Sequence, residues 1–136
     1  MDLDRFVSAQ EGDYEQALAE LRDGRKRSHW MWFVFPQLRG LGIERREEAA
    51  AYLAHPVLGP RLVACAEALL ETEGRTAREI LGSPDDLKLR SCATLFAEVA
   101  PAGSVFERLL DKYFEGQADP VTLRLLGKPG KDIPDA

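Results

Sequence analysis

The sequence predicts a mainly α-helical single domain, on three observations. Apolar residues recur three and four positions apart along most of the chain, the repeat that lays them on one face of a helix. Helix-start signals flank these runs, most clearly Ser83-Pro84-Asp85-Asp86 and Asp119-Pro120. Only the segment from His29 to Pro36 has a strand-like composition, and no second convincing strand exists to pair with it. The alternative is an α+β domain with a short strand over residues 30–35.

The elements follow in order. Leu3, Phe6, Val7 and Gln10 share a helical stripe, so a first short helix turns the Gln10 amide inward, where it must find partners. Asp13 reads as an N-cap with Gln16 at the capping-box position, and Tyr14, Ala17, Leu18 and Leu21 line the second helix up to Gly24. In the aromatic run, Ser28 can cap and Pro36 can end a short buried helix, the preferred reading over a strand. Residues 37–42 read as a loop whose glycines allow close approach by another group. A helix spans about Glu44 to Leu53 and ends at His55-Pro56. The next carries Leu58, Leu62, Cys65, Ala66 and Leu69 and stops at Gly74. A short turn over 77–81 leads to Ser83 as N-cap, Pro84 at N1 and two aspartates in the electropositive first turn. Leu89, Cys92, Leu95, Phe96 and Val99 form the buried face behind that cap. Val105 to Phe114 make another amphipathic helix, and Asp119-Pro120 starts a last one with Leu123, Leu125 and Leu126. The domain is therefore expected over residues 1–126, with a frayed Gly, Pro and charge-rich tail over 127–136.

A chain of 136 residues can bury a core without disulfides or metals. It has no run of 18 apolar residues, and the opening Asp2-Leu3-Asp4-Arg5-Phe6 does not resemble a signal peptide, so a cytoplasmic protein with no membrane partner is expected. Cys65 and Cys92 lack any zinc-ligand spacing and read as buried reduced thiols. From Arg22 to Arg46, seven basic residues face two acidic ones, within a chain of net charge −5. An acidic protein that gathers its positive charge in one place builds either an anion site or a solvated basic loop. A pI near 5.1 argues against broad nucleic-acid binding.

The segment from Arg25 to Gly42 joins that charge to His29, Trp30, Trp32 and a loop bracketed by Gly40 and Gly42. Aromatic faces and basic groups hold planar anionic ligands, and glycines give the backbone room to approach. His29 has no second histidine at ligand spacing, which leaves it a hydrogen-bonding or acid–base role rather than a metal. Lys88, Ser91 and Thr94 are spaced to form a polar strip on the capped helix, with Lys88 and Ser91 in the reverse order of a Ser-x-x-Lys acylase. Asp111 is an acidic candidate outside the caps. No Walker loop, dinucleotide-binding glycine pattern, zinc-protease motif or EF-hand occurs, and no cofactor or metal is expected.

Six segments taken together resemble a bacterial family catalogued as domain of unknown function 1810. They are Arg5 to Gln10, Gly24 to Gln37, Gly40 to Gly42, Ala51 to Gly59, Asp86 to Ser91 and Asp119 to Leu123. The block Ser28-His-Trp-Met-Trp-Phe-Val-Phe-Pro-Gln37 is the most specific of them. Some members are labelled calpastatin, which no residue here supports. Here Gly42 runs almost directly into Ile43 and Glu44, without the Ser-containing stretch usual in the family. In layout, though not in motif, the chain is also similar to helical domains that bind or hydrolyse NAD and ADP-ribose derivatives. The expectation is a pocket for a nucleotide-like ligand formed by Gln10, Arg25, Lys26, His29, Trp30, Trp32 and Gln37. Lys88 and Ser91 would close it, and in a hydrolase His29 or Asp111 would manage the proton. The alternative is a non-catalytic interaction or dimerisation module, in which the exposed part of the aromatic segment forms a homodimer or partner surface.

Overall fold

A computed structural model describes residues 2–39 and 42–127; Gly40 and residues 128–136, most of the expected tail, lie outside that range. Nine helices are present among the described residues: α1 (Asp4–Gln10), α2 (Tyr14–Arg22), α3 (Met31–Val34), α4 (Arg46–Ala54), α5 (Leu58–Glu71), α6 (Ala77–Leu81), α7 (Asp85–Ala97), α8 (Val105–Phe114) and α9 (Pro120–Leu125). The helix α5 packs against α2, α3, α4 and α8, while α7 packs against α4, α6, α8 and α9. These two helices are the shared walls of the fold. A line of rings runs through the interior between them: Phe6 meets Tyr52 edge-on at 5.2 Å, Tyr52 meets Phe96 at 5.5 Å, and Phe96 meets Phe106 at 5.5 Å. The edge-on and tilted contacts add to the burial of the rings themselves.

The aromatic run is a helix, not a strand. Val34 N–H donates to Trp30 and Phe35 N–H to Met31, one helical turn that Pro36 cannot extend. No strand occurs among the described residues, and the one isolated bridge joins Leu38 to Ile43. Around that bridge, Ile43 N–H donates to the Gln37 carbonyl at 2.8 Å, which folds the loop back onto the end of α3. Gly42 must be glycine there, since a Cβ would lie 2.1 Å from the Gln37 carbonyl oxygen.

Three of the expected caps differ. Asp13 occupies the N-cap of α2 without a side-chain bond, and Gln16 reaches Glu20 instead. Ser28 donates to Glu20 rather than capping α3. Ser83 precedes a cis peptide to Pro84, which itself takes the N-cap place, so α7 begins at Asp85 without a side-chain cap. By contrast, Asp119 accepts from Thr122 N–H with Pro120 at N1, and Thr76 with Glu79 forms a full capping box on α6. The helix α5 stops at Glu71, before Gly74, and Lys112 of α8 donates to the Leu70 and Thr72 carbonyls at that end. Cys65 and Cys92 are buried and unpaired.

Among the described residues no single helix is long and apolar enough to cross a membrane. The bent pair α4 and α5 reaches that length and composition, but Tyr52, Leu58, Leu62 and Leu69 of the pair are buried in the core.

Candidate functional site

Two clefts flank the side chain of Trp32, and both are also lined by Met31 and Lys88. The first, of about 160 Å³, is walled by Phe35, Gln37, Arg39 and Gly42. The second, of about 210 Å³, is walled by Lys26, His29, Trp30 and Asp85. Trp32 itself is 39% exposed, in contrast to Trp30 and the phenylalanines of the same run, which are buried. Its ring is braced edge-on by Phe33 at 5.3 Å and more loosely by Phe6 at 6.2 Å.

The floor of the second cleft is held by Glu20, whose carboxylate is 2% exposed. It accepts from Arg27 N–H, Ser28 N–H, Ser28 Oγ, Trp30 Nε1 and Gln16 Nε2, at 2.6–3.0 Å. Burial works to raise the Glu20 pKa, yet the bonds from Ser28, Arg27, Gln16 and Trp30 outweigh it and hold the carboxyl well below its usual range. One acid on α2 thus fixes the whole connection from Arg27 to Trp30. That connection sets where His29 and the neighbouring Lys26 stand.

Lys26 is anchored further by its backbone N–H to the Ile80 carbonyl at 2.7 Å. Its side chain is only 11% exposed, lies over the Trp30 ring at 5.3 Å, and pairs with Asp85 at 3.1 Å. Asp85 also pairs with Lys88 at 3.5 Å. Two ammonium groups therefore share one carboxylate at the start of α7. His29 is exposed at the rim.

The loop wall is set from the opposite side. Arg5 on α1 donates to the Gly42 carbonyl and to Glu48 on α4, both at 2.9 Å. Glu48 in turn accepts from Glu44 N–H at 3.1 Å. This small network keeps Gly42 against Gln37 and so shapes the first cleft.

Of the residues expected at the site, Lys26, His29, Trp30, Trp32, Gln37, Gly42 and Lys88 come together, while Gly40 lies outside the described residues. Trp30 contributes from the core: it is 1% exposed and its N–H is spent on Glu20. Four residues stand elsewhere. Gln10 is buried inside, donating to the Phe33 carbonyl at 2.7 Å and to Tyr52 Oη at 3.0 Å, and accepting from Arg61. The expectation of an inward amide with partners is met, but the amide serves the core rather than a pocket. Arg25 is exposed and lines neither cleft. Ser91 turns to α9, donating to Leu87 carbonyl and Asp119, so it forms no strip with Lys88. Asp111 is exposed on α8, which contributes to neither cleft, so it is not placed to manage a proton there.

Arg39, Asp85, Met31 and Phe35 join the site without having been singled out. The basic charge is also less concentrated than its sequence spacing suggests: Arg27 pairs with Asp23 and Arg46 with Glu98. Lys26 and Arg39 carry the segment's charge to the clefts, and Lys88 adds to it from α7. No group of three or more potential metal ligands occurs among the described residues.

Fold and clefts define a small all-helical protein with a half-open tryptophan set among cationic side chains. The chain belongs to the family described as Protein of unknown function (DUF1810), whose model matches residues 1–126. Its structure is similar to the crystal structure of the conserved hypothetical protein Rv1873 from Mycobacterium tuberculosis. The two share 51% identity at a TM-score of 0.90, over 93% of this chain and 96% of that one. No protein of curated function matches.

Proposed function

We propose that the protein binds a small anionic ligand with a planar ring system, of the nucleotide, NAD or ADP-ribose kind, in the two clefts beside Trp32. The observation that carries this reading is the exposed Trp32 ring with Lys26, Lys88, Arg39 and His29 around it. Ring faces and cations are the groups a nucleotide engages, through stacking and charge-assisted hydrogen bonds. The first cleft, with Met31, Phe35 and the Gln37 amide, suits a base; the second suits phosphate. For bond cleavage, His29 and Asp85 are the acid–base candidates that the described residues place on these walls, beside the two lysines. A place in a bacterial cytoplasm belongs to the same proposal, supported by the mycobacterial relative and by two unpaired cysteines.

A thermal-shift panel of AMP, NAD and ADP-ribose tests it. At least one ligand should raise the melting temperature, and Trp32→Ala should remove that rise. No shift with any of them, together with a concentration-dependent dimer lost in Trp32→Ala, would establish the interaction module instead.

A further inference from the structure

The pairing of Lys26 and Lys88 on Asp85 carries a consequence for what the second cleft accepts. Two ammonium groups from different parts of the chain meet at one carboxylate, 3.1 and 3.5 Å away. The Lys26 side chain is largely enclosed, whereas Lys88 is 43% exposed and the cleft opens beside it. A largely enclosed ammonium requires an anion, and Asp85 supplies one that belongs to the protein. Asp85 brings one negative charge to the two lysines it touches, beside a cleft of about 210 Å³ whose walls do not include Asp86, the other acid of that first turn. The start of α7 adds its own positive end at the same place.

We infer that Asp85 is an internal stand-in for a ligand's phosphate or pyrophosphate group, which takes over Lys26 and Lys88 when it binds and must do so against the carboxylate. This rests on the ligand reading above and assigns its charged half. A phosphate carries more charge than a carboxylate and offers three acceptor oxygens, so it can satisfy both lysines at once. Asp85 stays close enough to repel it. The carboxylate therefore weakens binding of phosphorylated ligands while offsetting part of the lysines' charge in their absence. A neutral nucleoside, held only at the Trp32 ring and the first cleft, is indifferent to Asp85.

The test is calorimetric titration of wild type, Asp85→Asn and Lys88→Met with inorganic pyrophosphate, ADP-ribose and adenosine at low salt. Asp85→Asn should bind pyrophosphate and ADP-ribose about five- to tenfold more tightly, as expected for removing one like charge within a few ångströms. Adenosine binding should stay within twofold. Lys88→Met should weaken both phosphorylated probes about tenfold or more. Asp85→Ser, a residue well suited to a helix start, serves if the asparagine variant melts early. Unchanged or weaker pyrophosphate binding in a folded Asp85 variant overturns the inference, as does unchanged binding in Lys88→Met. If adenosine and ADP-ribose bind while the Asp85 variants gain nothing, the ligand reading stands and this inference falls. If pyrophosphate gains but neither adenosine nor ADP-ribose binds, the anion site stands and the nucleotide reading falls.

Discussion

The carboxylate of Glu20 accepts the indole N–H of Trp30 at 2.9 Å, across ten residues of chain. The same carboxylate gathers four further donors, three of them from Arg27 and Ser28, so a single acid organises the approach to α3. Its low pKa means that folding favours the charged form, and the sign of the pH effect follows. The stabilisation is fully present above the ordinary glutamate value of 4.5 and fades as pH falls through the lower folded value. Glu20→Gln should cost about 3 kcal/mol at pH 7, since it leaves buried donors without an ionised acceptor. That cost should shrink below about pH 4, which urea denaturation across a pH series would show. A pH-independent difference would mean the carboxylate acts by shape alone.

Replacing the two tryptophans should have opposite effects. Trp30→Ala empties a fully enclosed position and should cost about 3–5 kcal/mol of stability. Trp32→Ala should cost less, about 1–3 kcal/mol for a ring partly buried against Phe33 and Phe6, yet abolish any ligand-induced thermal shift. Melting curves with and without ligand separate the two.

Gln10→Leu should destabilise by about 1–3 kcal/mol, because the Phe33 carbonyl and Tyr52 hydroxyl then lose a buried donor. Ligand affinity of the folded variant should match wild type, as Gln10 lines neither cleft. A loss of affinity without a loss of stability would return Gln10 to the site.

Most of the fold was legible because it rests on local pattern. Helical spacing locates each helix to within a few residues, and Asp119-Pro120 acts as its chemistry predicts. Ser83 failed as a cap because Pro84 takes the N-cap place and the helix starts one residue late. The site was half legible. Lys26, His29 and Trp32 lie in one unusual run, but the partner of Lys26 is Asp85, far along the chain. Asp85 looked fully explained by the first turn of a helix, so nothing local marked its second role. Gln10 misled for the converse reason. A polar residue on an apolar stripe signals a buried hydrogen bond, and periodicity alone does not say whether a ligand or the backbone provides it.

The thiols should be inert in the native state. Burial pushes Cys65 up to about 12 and Cys92 higher still, so neither offers thiolate at pH 8. Ellman's reagent should find no reactive cysteine until denaturant is added and then two. A thiol that reacts in the folded protein would show that α5 or α7 opens locally.

Lys112→Met should remove the cation that closes the C-terminal end of α5, at a cost of about 0.5–1 kcal/mol. The midpoint in urea should fall with an unchanged slope.

Two tryptophans stand two residues apart in opposite surroundings, one enclosed and bonded to a carboxylate, the other open to solvent. The protein therefore carries two optical reporters of its own. Acrylamide should quench the emission of Trp32 and spare that of Trp30, so a Trp32→Phe sample emits from the core and a Trp30→Phe sample from the cleft. Unfolding and cleft occupancy can then be followed by light from a single chain, with no dye attached.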